Sequence, residues 1–161
     1  MDIRAGTPDD IEACVSLWVD ALQARDAVEQ GPEVAARARA KFARPIVRFA
    51  VVGDEPSAFA LTVEEGARAD GRVALLELLA VAPGEAGRGV GRALLADAIR
   101  SATRLGHTSI ELDVRAGNDR AEKLYAAAGF TPQGEPTPHP LGGPPMIRRA
   151  LPLPAEADLA R

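Results

Sequence analysis

The sequence predicts a mixed α/β fold, a mostly antiparallel sheet of about six or seven strands with about four helices on its faces. Three observations predict it. The hydrophobic patterns run in the order strand, two helices, three strands, helix, strand, helix, strand. The three middle strands are joined by short turns and so pair antiparallel. The strands on either side of the helix at 92–104 need a crossover and so run parallel. No internal repeat or linker interrupts this order, so residues 1–151 read as a single domain followed by a tail, 152–161.

Each element has its own signal. Ile3-Arg4-Ala5 is a short edge strand. Thr7-Pro8-Asp9-Asp10 is a helix start: a capping residue, a proline at the first helical position, and an acid three residues after the cap. Ile11, Cys14, Val15, Trp18 and Leu22 follow at helical spacing as an apolar stripe, which reads Cys14 and Trp18 as packing residues. A second helix covers 32–43 and stops at Pro45. Ile46 to Val52 and Ala58 to Val63 are strands around the turn Gly53-Asp54-Glu55-Pro56. Glu64 to Gly71 is polar and turn-like, and Val73 to Val81 is an apolar strand with one acid, Glu77. The helix at 92–104 buries Leu94, Leu95, Ala98, Ile99 and Ala102 and closes at Gly106; His107, in the turn that follows, is expected to face solvent. Thr108 to Val114 is a strand. Asn118 caps a helix to Ala128, ended by Gly129. Six prolines between 131 and 145 exclude a regular helix there. Met146 to Leu151 is the last strand, and the chain is expected to fray from Pro152.

Composition narrows the function. The chain has 161 residues, 47% hydrophobic and 26% charged, with a net charge of −4. It lacks the basic footprint of a nucleic-acid binder. It has no apolar run of the roughly 20 residues that span a bilayer, and no signal-peptide pattern at Met1-Asp2-Ile3-Arg4. One cysteine, Cys14, allows no internal disulfide and points to a reducing, cytoplasmic compartment. Two histidines beside it are too few for an ordinary zinc site, so no metal is expected.

Two segments carry chemistry. The first is Val81-Ala82-Pro83-Gly84-Glu85-Ala86-Gly87-Arg88-Gly89-Val90-Gly91-Arg92, between a strand end and a helix start. Glycines admit close backbone approach, and a helix start offers unpaired N–H groups, a combination suited to a phosphate or pyrophosphate. Arg92 and Ala93 after Gly91 exclude the Gly-Lys-Ser/Thr ending of a nucleotide loop. Arg92 or Leu94 at the third glycine position excludes the dinucleotide fingerprint. A turn that binds nothing remains possible on this segment alone. The second segment is Asn118-Asp119-Arg120-Ala121-Glu122-Lys123-Leu124-Tyr125-Ala126-Ala127-Ala128-Gly129-Phe130, which holds the only tyrosine of the chain. Taken alone, Tyr125 is more readily a packing residue.

Together the two segments resemble the GNAT superfamily of acetyl-CoA-dependent N-acetyltransferases. Its signature is a Q/R-x-x-G-x-G/A loop after the fourth strand and, about 30 residues later, an N-x-x-A-x-x-L-Y-x-x-x-G-F helix. Gly89 and Gly91 match the first; Asn118, Ala121, Leu124, Tyr125, Gly129 and Phe130 match the second. The element order matches from Ile3 to Leu151. Ala86 departs from the leading Gln or Arg, so its backbone N–H, with Arg88 or Arg92, is expected to stand in.

The resemblance implies a set of roles. The strand at 73–81 splays from that at 108–114, and the pantetheine arm bonds to backbone at Leu79, Ala80 and Val81. The loop Ala86, Gly87, Arg88, Gly89, Val90, Gly91 and Arg92 holds the pyrophosphate, and Asn118 lies near the thiol end. Acetyl-CoA is the cosubstrate, without a metal. An amine attacks the thioester directly in a ternary complex. Tyr125, also in contact with the cosubstrate, returns a proton to the leaving sulfur as general acid, with the Val81 N–H facing the oxyanion. Alternation puts Leu75, Glu77, Leu79 and Val81 on one strand face, where Glu77 is the ionisable group and serves as base, directly or through water. His139, in the proline-rich segment, is a lesser candidate. The acceptor site draws on 20–45 and 131–146 and takes a small-molecule primary amine. Alternatives are a peptide N-terminus or lysine, or a non-catalytic acyl-CoA-binding module. Homodimerisation is common in the family.

Overall fold

A computed structural model describes residues 1–26 and 30–154. Its sheet has seven strands in the order β1-β2-β3-β4-β5-β7-β6. They are β1 (Ile3–Ala5), β2 (Ile46–Val52), β3 (Ala58–Arg68), β4 (Gly71–Val81), β5 (Ser109–Arg115), β6 (Thr131–Pro132) and β7 (Met146–Pro152). The helices are α1 (Ile11–Asp26), α2 (Pro32–Lys41), α3 (Val90–Arg104) and α4 (Asp119–Ala127). Only β4 and β5 pair in parallel, as the α3 crossover requires. No described helix is long and apolar enough to cross a membrane.

The sheet has a helix layer on each face, and strand alternation supplies both. From β2 and β3, Phe49, Val51, Phe59, Leu61 and Val63 point toward α1 and α2, meeting Cys14, Val15, Ala38 and Phe42. The intervening Ala50, Ala58 and Ala60, with Ala74 of β4, face α3 and its Leu94, Leu95, Ala98 and Ala102. Small residues under α3 let the helix lie close; bulky ones under α1 and α2 fill the wider layer. Phe42 and Phe49 meet edge to face at 5.0 Å, and Phe49 and Phe59 at 6.5 Å. Phe59 is fully buried. Phe59→Ala is expected to cost about 3–5 kcal/mol, read as a lower urea midpoint at unchanged slope.

The N-terminal cap forms as its residues predict. Pro8–Asp10 makes a short 3-10 turn ahead of α1. Asp10 takes two hydrogen bonds from Arg4, at 2.8 and 2.9 Å, and one from the Thr7 N–H at 2.9 Å. Arg4 first, then Thr7, holds this carboxyl well below the usual range.

Several expectations need correction. Glu64 to Gly71 is not a turn. Pairing continues through Gly66–Val73, Ala67–Arg72 and Arg68–Gly71, so the hairpin is tighter. The polar residues there extend past the core and use one another: Arg72 bridges Glu64 at 3.0 Å, and His107 Nε2 lies 2.7 Å from Glu64 Oε2. His107 is therefore buried, 2% exposed, with Nδ1 also 3.1 Å from the Ala102 carbonyl, and not solvent-facing. The proline-rich segment holds the two-residue β6, paired with β7. The chain does not fray at Pro152, which pairs with Ser109. Leu153 is buried, and its N–H donates to the Thr108 carbonyl at 2.9 Å. The rest of the expected tail, residues 155–161, lies outside the described residues.

Candidate active site

The site begins where β4 and β5 part. Their parallel pairing covers Val73–Ser109 to Leu76–Leu112 and stops there. Yet β4 continues to Val81, and β5 continues to Arg115 against β7. A gap opens at the carboxyl ends of the two strands, a common position for a ligand in sheets with parallel strands.

Glu77 sits at the mouth of this gap because of a β-bulge. Leu61 pairs with Leu78 and Thr62 with Leu76, so Glu77 is the extra residue of β4. The bulge shifts the alternation by one. Leu75, Leu78 and Ala80 join the α1–α2 layer, whereas Leu76, Leu79 and Val81 join the α3 layer. The expected single face of Leu75, Glu77, Leu79 and Val81 is thus broken. The Glu77 carboxylate receives Arg44 Nη1 at 3.1 Å and has Lys41 Nζ at 3.8 Å. Burial holds the Lys41 ammonium below its ordinary value, against the pull of Glu77.

Two cavities flank the gap. One, about 840 Å³, runs along Leu79, Ala80 and Val81 to the glycine-rich turn and α4. Gly87 (φ 80°) and Gly89 (φ 77°) take left-handed conformations, and Gly89 leads into α3. No atom lies within 4 Å of where a Cβ would stand on either. Among the described residues, none of the backbone N–H groups from Gly87 to Arg92 makes an ordinary hydrogen bond to the protein. Open N–H groups at a helix start are the kind of feature that can receive an anion. The Ala86 N–H does not join them, since it donates to the Pro83 carbonyl at 3.2 Å. Arg92 lines the cavity and Arg88 does not. Arg120, on the first turn of α4, lines it too; its place two residues after the capping Asn118 was the available signal.

The other cavity, about 560 Å³, lies among α1, α2, the end of β5 and residues 137–143, and holds Glu77, Lys41 and His139. Burial, followed by Arg115, Arg37, Lys41 and Arg25, holds the His139 imidazole below its usual value. Its Nδ1 accepts from the Leu141 N–H at 3.0 Å.

Tyr125 and Asn118 line both cavities. Asn118 Oδ1 accepts from the Ala121 N–H at 3.4 Å, capping α4. Tyr125 packs edge to face on Phe130, with ring centres 6.1 Å apart. Burial pushes its phenol up to about 12. Its hydroxyl has no hydrogen-bond partner among the described residues. Trp18, read from its stripe as packing, lines both cavities as well. The apolar stripe of α1 continues past the sheet and walls the gap, a distinction that periodicity alone does not make. Cys14 is fully buried and its thiol is pushed up to about 12, so it is no nucleophile.

Residues 11–130 match the model of the acetyltransferase (GNAT) family. No curated protein matches the chain in sequence. Solved structures do. A GCN5-related N-acetyltransferase from Kribbella flavida is 28% identical, with a TM-score of 0.73 over 94% of this chain and 97% of that one. The ribosomal-protein-S18-alanine N-acetyltransferase from Escherichia coli is 25% identical, with a TM-score of 0.71 over 94% and 93%. A Salmonella typhimurium protein solved with its cofactor acetyl-CoA is 20% identical, with a TM-score of 0.72 over 97% and 95%, and shares the fold.

Proposed function

The chain belongs to the GNAT acetyltransferase family, and from that premise we propose that it transfers the acetyl group of acetyl-CoA to the primary amine of a small molecule, by direct attack in a ternary complex. The observation that carries this reading is that Tyr125 lines both cavities, one of them ending in the open N–H groups proposed as an anion cradle.

The residues fit acetyl-CoA. The free N–H groups of 87–92 suit its pyrophosphate, and Arg92 and Arg120 add positive charge beside it. Leu79–Val81, paired with β3 on one side and past the end of the β5 pairing on the other, offers backbone groups to an extended arm, with Asn118 beside its thiol end. The thioester supplies an activated acyl group; holding an amine against it accounts for much of the rate. Tyr125 donates its proton to the departing sulfur. The apolar surroundings that raise the phenol raise a thiol as well, so the gap between their ordinary values does not widen by the full rise of the phenol. Glu77 removes the proton of the incoming ammonium, directly or through water. We assign the reaction to the reducing cytoplasm, a reading that the lone buried Cys14 supports.

Release of CoA thiol, measured with acetyl-CoA and a panel of primary amines, tests the reading. Amine-dependent release is expected. Tight acetyl-CoA binding without release for any amine would instead favour an acyl-CoA-binding module, and release confined to peptides would favour a peptide acetyltransferase. The cradle has its own test. Gly89→Val forces a β-branched residue into a left-handed conformation, a strain of about 1–3 kcal/mol that the loop relieves by leaving the cradle geometry. Acetyl-CoA affinity is expected to fall about tenfold by calorimetry. Gly84→Val, at an open position outside the left-handed region, should bind normally.

A further inference from the structure

The acceptor-side cavity is lined by as many carboxylates as cations, but the ion pairs these acids make leave two of the cations out. Among its acids, Asp26 is paired with Arg25 at 2.8 Å, Glu77 with Arg44 and Lys41, and Asp113 with Arg148 at 2.7 Å. The remaining acid, Glu33, folds its carboxylate back over Gly31 at the start of α2, where the helix dipole favours it. Two cations on the wall make no salt bridge among the described residues, although Arg115 helps to lower the Asp26 carboxyl after Arg25 has done so. Arg115, at the end of β5, makes one hydrogen bond, to the Gly142 carbonyl at 3.4 Å, and Arg37 of α2 has no ion-pair partner among the described residues. Both act on His139, whose imidazole is held below its ordinary value by burial first and then by Arg115, Arg37, Lys41 and Arg25. One cavity wall thus carries two guanidiniums without a salt bridge together with Glu77 and Tyr125.

We infer that the acceptor is a primary amine that also carries an oxyanion, held between Arg37 and Arg115 while its amine faces Glu77 and Tyr125. A guanidinium presents a fork of N–H donors that matches the oxygens of a carboxylate or a phosphonate. A cavity of about 560 Å³ suits a molecule of that size. The inference rests on the acetyl-transfer reading and specifies its substrate class.

The test uses matched acceptors: amino acids, their carboxamides, and aminophosphonates of the same carbon skeleton. The oxyanion-bearing members are expected to show kcat/KM about tenfold or more above the carboxamides, the gain typical of hydrogen bonds to a charged group. The better of carboxylate and phosphonate identifies the oxyanion. The amine of a carboxamide is less basic, so the comparison is biased against this result. In Arg115→Gln and Arg37→Gln the preference should shrink toward one, mainly through KM. Carboxamides or short peptide amides that are equally good substrates would overturn the inference while leaving acetyl transfer intact. If no amine is acetylated, the transfer reading fails, and calorimetric binding of the same matched sets to the CoA-loaded protein decides the inference separately. Tenfold tighter binding of the oxyanion members supports it; equal or absent binding overturns it.

Discussion

Tyr125→Phe is expected to lower kcat for CoA release by about 10²- to 10⁴-fold, the range typical of a general acid, with acetyl-CoA affinity little changed. The substitution removes one oxygen and nothing else that the surroundings use. The ring keeps its edge-to-face contact with Phe130, and the hydroxyl gives up no hydrogen bond to the described residues. Folding should therefore be unimpaired, and a thermal melt separates a catalytic loss from a structural one. The pH profile adds a check. Burial raises the phenol from 10 to about 12, so Tyr125 stays protonated across the working range and should impose no alkaline decline in kcat below about pH 11. The sign for stability follows. A raised folded value means that its contribution is fully present below pH 10 and lost as pH climbs from there toward 12. An undiminished Tyr125→Phe enzyme would sink the acid assignment.

How much of this was legible depended on whether the signal was local. The cap at Thr7 to Asp10, the glycine turn and the Asn118 cap are short-range patterns, and they form where the residues place them. The alternation of β2 and β3 reports the two layers directly, since Phe49 and Ala50 must face opposite ways. What escaped depended on partners distant in sequence. His107 is buried because Glu64, 43 residues earlier, lies beside it on the lengthened hairpin. Glu64 to Arg68 looks like a turn because its polarity is answered by Arg72, His107 and, for Arg68, the buried Glu111. Trp18 and Arg120 become cavity walls only once α1 and α4 meet across the splayed strands. The bulge at Glu77 is the sharpest case. Val73 to Val81 reads as a regular apolar strand, and nothing local marks the extra residue. The register against Thr62 and Leu61 creates it.

That bulge frames the second large effect. Glu77→Gln is expected to lower kcat/KM by about 10²-fold at neutral pH, the lower end of the range for proton transfer by a positioned group. The loss should be pH-dependent. A base is needed only while the acceptor is an ammonium, so the defect should narrow as pH rises past the amine's own pKa and free amine becomes abundant. The pH profile is essential because Glu77 also carries structure. It pairs with Arg44 at 3.1 Å and has Lys41 at 3.8 Å, and its side chain is only 15% exposed. Removing the charge leaves two cations facing each other, which costs stability and pushes Lys41 further down. A purely structural Glu77 would give a lower melting temperature and a defect of equal size at every pH. A base gives a defect that closes with alkalinity while acetyl-CoA affinity holds. The ion pairs are compatible with the second outcome: they keep the carboxylate aimed at the gap, in the position the bulge created, where an incoming ammonium can compete with Lys41 for it.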